Sequence, residues 1–211
     1  NSIIIFTYDL WHYLFNFSAT GSFCQINPSS TKYDFFLNKV EKDRAKKFVN
    51  SLGDKIKIGI NTQGSFPEKS ITDNYLRDIC LGLRSNYKNI QIIILATPDQ
   101  ILNKKFFISK FDFDFVECSY PTFSINDVAA LIQQLDFIIT PDTSIVHIAS
   151  SFDIPIVSIH ENNKDSYRLW SPTSTLNKTI FAKSSYGISN FSVSDVIKSS
   201  SEILKIIELK Q

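Results

Sequence analysis

Short apolar runs recur along the chain. Each is closed by a polar loop, and most are followed by apolar residues at helical spacing. In residues 55–60, Ile56, Ile58 and Ile60 alternate with Lys57 and Gly59, which predicts a strand. A polar loop, 61–69, follows. Ser70 then reads as a helix N-cap with Asp73 three residues on, a capping-box variant. Ile71, Tyr75, Leu76, Ile79, Cys80 and Leu83 make one apolar helix face. Residues 90–95 are almost continuously apolar, as in a strand buried on both faces. A loop at 96–99 ends it, and 111–116 reads as another strand. Ser124 caps a helix, again with Asp127 three residues on, lined by Val128, Leu131, Ile132 and Leu135. A strand at 137–139 stops at Thr140-Pro141; a helix at 145–152 and a strand at 154–159 follow. Ser192 caps a last helix, whose apolar face includes Val193, Val196, Ile197, Ile203, Leu204 and Ile207, with a serine run at 199–201 inside it. Strand–helix alternation of this kind predicts an α/β fold, a Rossmann-like parallel sheet flanked by helices.

The first fifty residues are less regular. Residues 3–6 suit a strand, 9–17 are rich in aromatics, 21–31 are loop-like, and 34–52 read as helical with a charged middle. The expected organisation is a remnant of a preceding domain plus a connecting helix over 1–50, then the sheet domain over 51–211. His12 beside Asp9 suggests acid–base work, although surface or core packing accounts for the pair as well. The chain begins at Asn1 and contains no Met, so it reads as a fragment of a longer protein.

Composition narrows the function classes. The 211 residues carry a formal net charge of +1. Lys42, Arg44, Lys46 and Lys47 are interleaved with Glu41 and Asp43, as on a solvated helix face, so no concentrated basic surface for nucleic acid is expected. Cys24, Cys80 and Cys118 are widely spaced and odd in number, which fits reduced thiols and does not suggest a metal site. No apolar run approaches the ~18 residues of a membrane span.

In a parallel sheet, loops at the carboxyl ends of the strands bind ligands. Three loops should gather there: 61–69, 96–100 and 141–144. In the last, Asp142-Thr143-Ser144 opens a helix. Its free N–H groups and positive dipole end suit a phosphate, and Thr143 and Ser144 carry hydroxyls that can cap the helix or meet an anion. His147 lies about one turn on, where it can face the same site. The same residues also make an ordinary N-cap, and a lone histidine on a short helix is commonly structural. In the first loop Gly64 gives room for close approach, Ser65 a hydroxyl and Lys69 a point charge just before a helix. The spacing is not that of a Walker loop, and a solvated lysine is the alternative.

The run from Asp136 to Ile159 contains Asp142, Thr143, Ser144, His147, Ala149 and Pro155. It resembles the signature of family 9 glycosyltransferases, the bacterial lipopolysaccharide heptosyltransferases: Asp-Thr-Gly/Ser-x-x-His-x-Ala, a short gap, then Pro and an apolar strand. Ser144 stands where many members have Gly. The resemblance covers roughly 55–209. It implies the C-terminal half of a GT-B enzyme, which holds the nucleotide sugar while the N-terminal half carries the acceptor site and an Asp general base. No Asp here matches that base, so the catalytic residue is unassigned.

The resemblance further implies that Gly64, Ser65, Lys69, Asp142, Thr143, Ser144 and His147 hold the donor diphosphate, with Asp99 as a candidate for the ribose. A Pro-Asp turn is the alternative for Asp99. The implied donor is ADP-heptose and the implied acceptor a lipopolysaccharide core. No cofactor or metal is implied; Lys69 and the helix dipoles stabilise the leaving group. The implied location is the cytoplasmic face of the inner membrane, with peripheral association at most. Two departures stand out. His160-Glu161-Asn162-Asn163 replaces the family's Phe-Gly-x-Thr, and Arg168-Leu-Trp170-Ser-Pro172 resembles its Trp-x-Pro segment, expected to be a packed loop with Trp170 in the core. A different class remains open: a non-catalytic nucleotide- or phosphate-binding module with a lost or degenerate acceptor domain.

Overall fold

The computed structural model describes residues 35–209, which fall within one unit, Tyr33–Gln211. The strand expected at 3–6, Asp9, His12 and Cys24 lie outside the described residues. In chain order the elements are helix α1 (Lys39–Asn50), β1 (Ile56–Asn61), a 3-10 turn (Pro67–Lys69), α2 (Asp73–Asn86), β2 (Ile90–Leu95), α3 (Ile101–Lys110), β3 (Val116–Cys118), α4 (Ile125–Ile132), β4 (Phe137–Pro141), α5 (Ser144–Ser151), β5 (Ile156–His160), α6 (Lys164–Trp170), β6 (Asn177–Phe181) and α7 (Val193–Glu208). The strands form one sheet in the order β3-β2-β1-β4-β5-β6, and every pairing is parallel. The strand order reverses between β1 and β4, which makes that junction the switch point where ligand crevices open.

Side chains alternate across the sheet and divide the core into two layers. Ile58, Ile60, Ile92 and Ile94 face α2 and α7, meeting Leu76, Ile79, Leu83, Val196, Ile203 and Leu204. Ile93, Leu95, Ile138 and Ile156 face the other way, meeting Ala129, Leu131 and Ile132 of α4, Ile148 and Ala149 of α5, and Val49 of α1. Helix α1 is fixed by a complete capping box between Asn38 and Glu41 and by an Arg44–Asp127 ion pair at 3.4 Å, with Arg44 also over the Tyr120 ring. Its Lys42, Lys46 and Lys47 face solvent, as their interleaved charges predict.

Several sequence expectations need correction. Strand β1 lies in the middle of the sheet and is buried along its whole length, Lys57 included. The Lys57 ammonium is satisfied by the carbonyl oxygens of Gly53 and Lys55, and burial pushes its pKa down. Helix α2 is capped by Thr72, not Ser70: the Thr72 hydroxyl accepts the Tyr75 N–H, while the Ser70 hydroxyl is taken up by the preceding loop. The strand expected at 111–116 begins only at Val116, as β3, and residues 111–115 form a turn with packed rings. Phe107, Phe111, Phe113 and Phe115 pack in sequence at centroid distances of 5.1, 5.5 and 5.2 Å. Their Phe-Asp-Phe-Asp-Phe alternation imitates a strand, but Asp112 turns the chain at φ 50°. Helix α3, strand β6 and helix α6 are not foreseen by periodicity. Trp170 ends α6, where a loop was expected, and is half-buried.

Candidate functional site

The last residue of β1 ties the two sides of the switch point together. Asn61 is buried, and its Nδ2 group donates to the Gln63 carbonyl and to Thr140 Oγ1, both at 3.0 Å, with Thr143 Oγ1 at 3.4 Å. Its Oδ1 accepts the Gln63 N–H at 3.1 Å. One side chain therefore shapes the loop after β1 and pins it to the loop after β4. Sequence reasoning missed Asn61. The available signal was a polar amide at the carboxyl end of a central strand.

Beyond this junction opens a cleft of about 400 Å³. Asn61, Gln63, Gly64 and Ser65 line it from the first loop, and Asp142, Thr143 and Ser144 from the third. The rest of the lining is apolar, Leu95, Ala96, Ile125, Val128 and Ile145, together with Thr97 and Thr122. The three loops expected to converge do so. Thr97 and Thr122 are further residues that periodicity could not single out. The Thr97 hydroxyl is buried and has no hydrogen-bond partner among the described residues. Among the described residues, Asp142 is the only charged one in the lining.

Gly64 is required, though chiefly by the loop itself. A Cβ there would lie 2.1 Å from the Lys69 carbonyl oxygen, because the loop folds back on itself. The Gly64 N–H donates to Ser70 Oγ at 3.0 Å, and the Ile71 N–H reaches the Thr62 carbonyl at 2.9 Å. Thr143 caps α5, accepting the Ile145 N–H at 3.3 Å, and Ser144 is exposed in the first turn.

The other expected residues stand around the cleft and are not part of its lining. The Lys69 ammonium lies 3.2 Å from Glu161 Oε2, just past the end of β5. His147 points from α5 toward Trp170, with ring centroids 5.7 Å apart; burial lowers its pKa against the opposing pull of Asp142, so the ring is neutral near pH 7. Asp99 is exposed in a turn closed by the Gln100 N–H on the Thr97 carbonyl at 2.9 Å. Asp142 reaches out of the cleft to His160, whose Nδ1 is 3.5 Å from its carboxylate. His160 is almost wholly buried, with Tyr167 edge-on to its ring at 5.1 Å.

The chemistry of the cleft is two-sided. The apolar wall can take a flat ring, and the polar wall presents hydroxyls, amides and a helix N-terminus to an anion. No group of His, Cys, Asp or Glu side chains among the described residues is arranged to hold a metal ion.

Comparison with known proteins agrees with this arrangement. Residues 10–190 match the family described as glycosyltransferase family 9 (heptosyltransferase). That match begins well before residue 55, where the signature-based resemblance starts. A putative lipopolysaccharide heptosyltransferase 4 of Escherichia coli K12 is 28% identical over 148 residues, 68% of this chain and 38% of that protein. Among solved structures, the E. coli ADP-heptose heptosyltransferase II superposes with a TM-score of 0.69 at 13% identity, covering 87% of this chain and 57% of that one. The E. coli heptosyltransferase WaaC with ADP gives 0.64 at 16%, covering 87% and 53%. The C-terminal domain of a Francisella tularensis group 1 glycosyl transferase gives 0.53 at 11%, covering 82% of this chain and 88% of that domain. At these identities the superpositions establish the fold, that of the C-terminal domain of GT-B transferases. The chain spans between about two fifths and three fifths of the heptosyltransferases it matches. On the strength of the family match, the chain belongs to glycosyltransferase family 9, the heptosyltransferases.

Proposed function

We propose that this chain forms the donor-binding half of a glycosyltransferase that moves a heptose or related sugar from a nucleotide diphosphate, ADP-heptose, to a lipopolysaccharide core acceptor. One observation carries the reading: the cleft at the β1/β4 switch point is lined both by apolar side chains and by the Asp142-Thr143-Ser144 turn at the start of α5. The E. coli relative WaaC has been solved with ADP and with ADP-2-deoxy-2-fluoro heptose, which supports an adenine nucleotide as ligand.

In this reading the base lies on the Ile125–Val128 wall and the diphosphate at Gly64, Ser65, Thr143 and Ser144, with Lys69 supplying its charge. Asp99 borders the ribose. Transfer leaves negative charge on the departing diphosphate, which the hydroxyls, the α5 N-terminus and Lys69 stabilise. The acceptor and the general base that deprotonates its hydroxyl belong to a partner domain outside the described residues, with residues 1–50 as its remnant and connection. The enzyme then works at the cytoplasmic face of the inner membrane. Among the described residues no helix is long and apolar enough to cross a membrane.

Calorimetric titration with ADP, UDP and GDP, each with and without magnesium, tests this. The expected result is selective binding of ADP without metal, weakened at least tenfold by Lys69→Ala or Thr143→Ala (about 1.4 kcal/mol). Wild-type affinity in both variants overturns the site assignment. Preference for UDP or GDP replaces the donor. Failure of all three favours a degenerate, non-catalytic module, a reading supported by Asp142 being the one charge in the lining among the described residues.

A further inference from the structure

Lys69 and Glu161 form an ion pair whose side chains are 23% and 11% exposed. The two partners are not equally mobile. Glu161 follows β5 directly, and its Oε2 also accepts the Gly187 N–H at 3.3 Å. Gly187 is itself wedged: at φ 75° it has no room for a Cβ, which would lie 2.7 Å from the Glu68 carbonyl oxygen, and the next N–H, of Ile188, donates to that oxygen at 2.8 Å. The carboxylate is therefore anchored, whereas the ammonium rides on four rotatable bonds.

We propose that Glu161 sets the donor affinity of the site by holding the Lys69 ammonium off the cleft, so that a diphosphate binds only by taking Lys69 over from it. This rests on the donor-site reading above. Lys69 is paired with Glu161 and outside the lining, and Asp142 is the charge that the lining carries among the described residues. A diphosphate entering the cleft draws the ammonium across through the flexible stem, while Glu161 keeps its bond to Gly187. The carboxylate is thus a built-in competitor. Its effect depends on phosphate charge and is absent for a ligand without phosphates.

The test is titration of the full chain in metal-free buffer with ADP and with adenosine. Glu161→Gln keeps an oxygen for the Gly187 N–H and removes only the charge; Glu161→Ala is the second variant should the amide fold poorly. The expected result is ADP binding tightened about threefold to tenfold, the range for a partly buried pair. Adenosine affinity should stay unchanged, and the gain should vanish in a Lys69→Ala background. ADP binding by E161Q where the wild type shows none is the same result in stronger form. An unchanged or weakened ADP affinity in E161Q overturns the proposal and leaves the donor site standing. So does a gain that persists without Lys69 or that extends equally to adenosine. Absence of ADP binding in both wild type and E161Q overturns the donor site itself and the proposal with it.

Discussion

Asn61 Nδ2 donates to Thr140 Oγ1 at 3.0 Å, joining the ends of two strands that are neighbours in the sheet but 79 residues apart in sequence. Both side chains are buried, so each relies on the other and on nearby backbone for its hydrogen bonds. Asn61→Ala leaves Thr140 Oγ1 with its bond to the Pro141 carbonyl at 2.9 Å but removes both bonds that hold Gln63, and should cost about 1–3 kcal/mol. Urea unfolding should show a lower midpoint at unchanged slope, and ADP affinity should fall more than stability alone explains, because the first loop loses its anchor.

Two glycines make opposite demands. At Gly64 an added methyl meets backbone, the Lys69 carbonyl oxygen, which cannot move without unfolding the loop. At Gly82 it meets the Ile197 side chain, Cδ1 at 2.1 Å and Cγ1 at 2.9 Å, which a change of rotamer can move aside, and alanine gains roughly 1 kcal/mol in helix propensity. Gly64→Ala should therefore lose about 2 kcal/mol or more, while Gly82→Ala should stay within about 1 kcal/mol of wild type. Thermal melts of the pair provide the comparison.

Stability should fall on mild acidification, and His147 should account for part of the fall. Burial depresses its pKa below 6.5. Between the folded value and 6.5 the unfolded chain binds more protons than the folded one, so stability is full above that window and declines as pH drops through it. His147→Gln should flatten this slope, read as the urea midpoint at about pH 7.5 against about pH 5.5. An equal slope in the variant would locate the effect elsewhere.

Cys80 and Cys118 are free and buried, and burial pushes their thiols up to about 12 and about 11. In a Cys24→Ser background neither should react with a thiol reagent at about pH 8 in the native state, and both should react in denaturant. Rapid native labelling of Cys80 would contradict its place between α2 and the sheet.

Much of the fold was legible in local pattern. The continuous apolar run 90–95 became β2, buried along its length, and the Ser124 and Ser192 caps open α4 and α7 as expected. Where pattern misled, a tertiary neighbour was responsible. The phenylalanine alternation at 111–115 packs rings around a turn and meets β2 only at its end, through the Phe115 carbonyl, Lys57 finds carbonyl oxygens in place of water, and Ser70 serves the first loop in place of the helix.

The sequence by itself determined the alternation of strands and helices, and hence the parallel sheet, because periodicity and caps are local properties. It also determined the Asp142-Thr143-Ser144 turn, because that motif is contiguous. Tertiary structure alone decided which residues meet at the cleft: Asn61 with Thr140, Thr97 and Thr122 with the apolar wall, Lys69 with Glu161, and Asp142 with His160. Each of those meetings joins separate segments, and none follows from local spacing. They arise because β1 and β4 lie side by side at the point where the strand order reverses, which brings the loops after several strands to one edge.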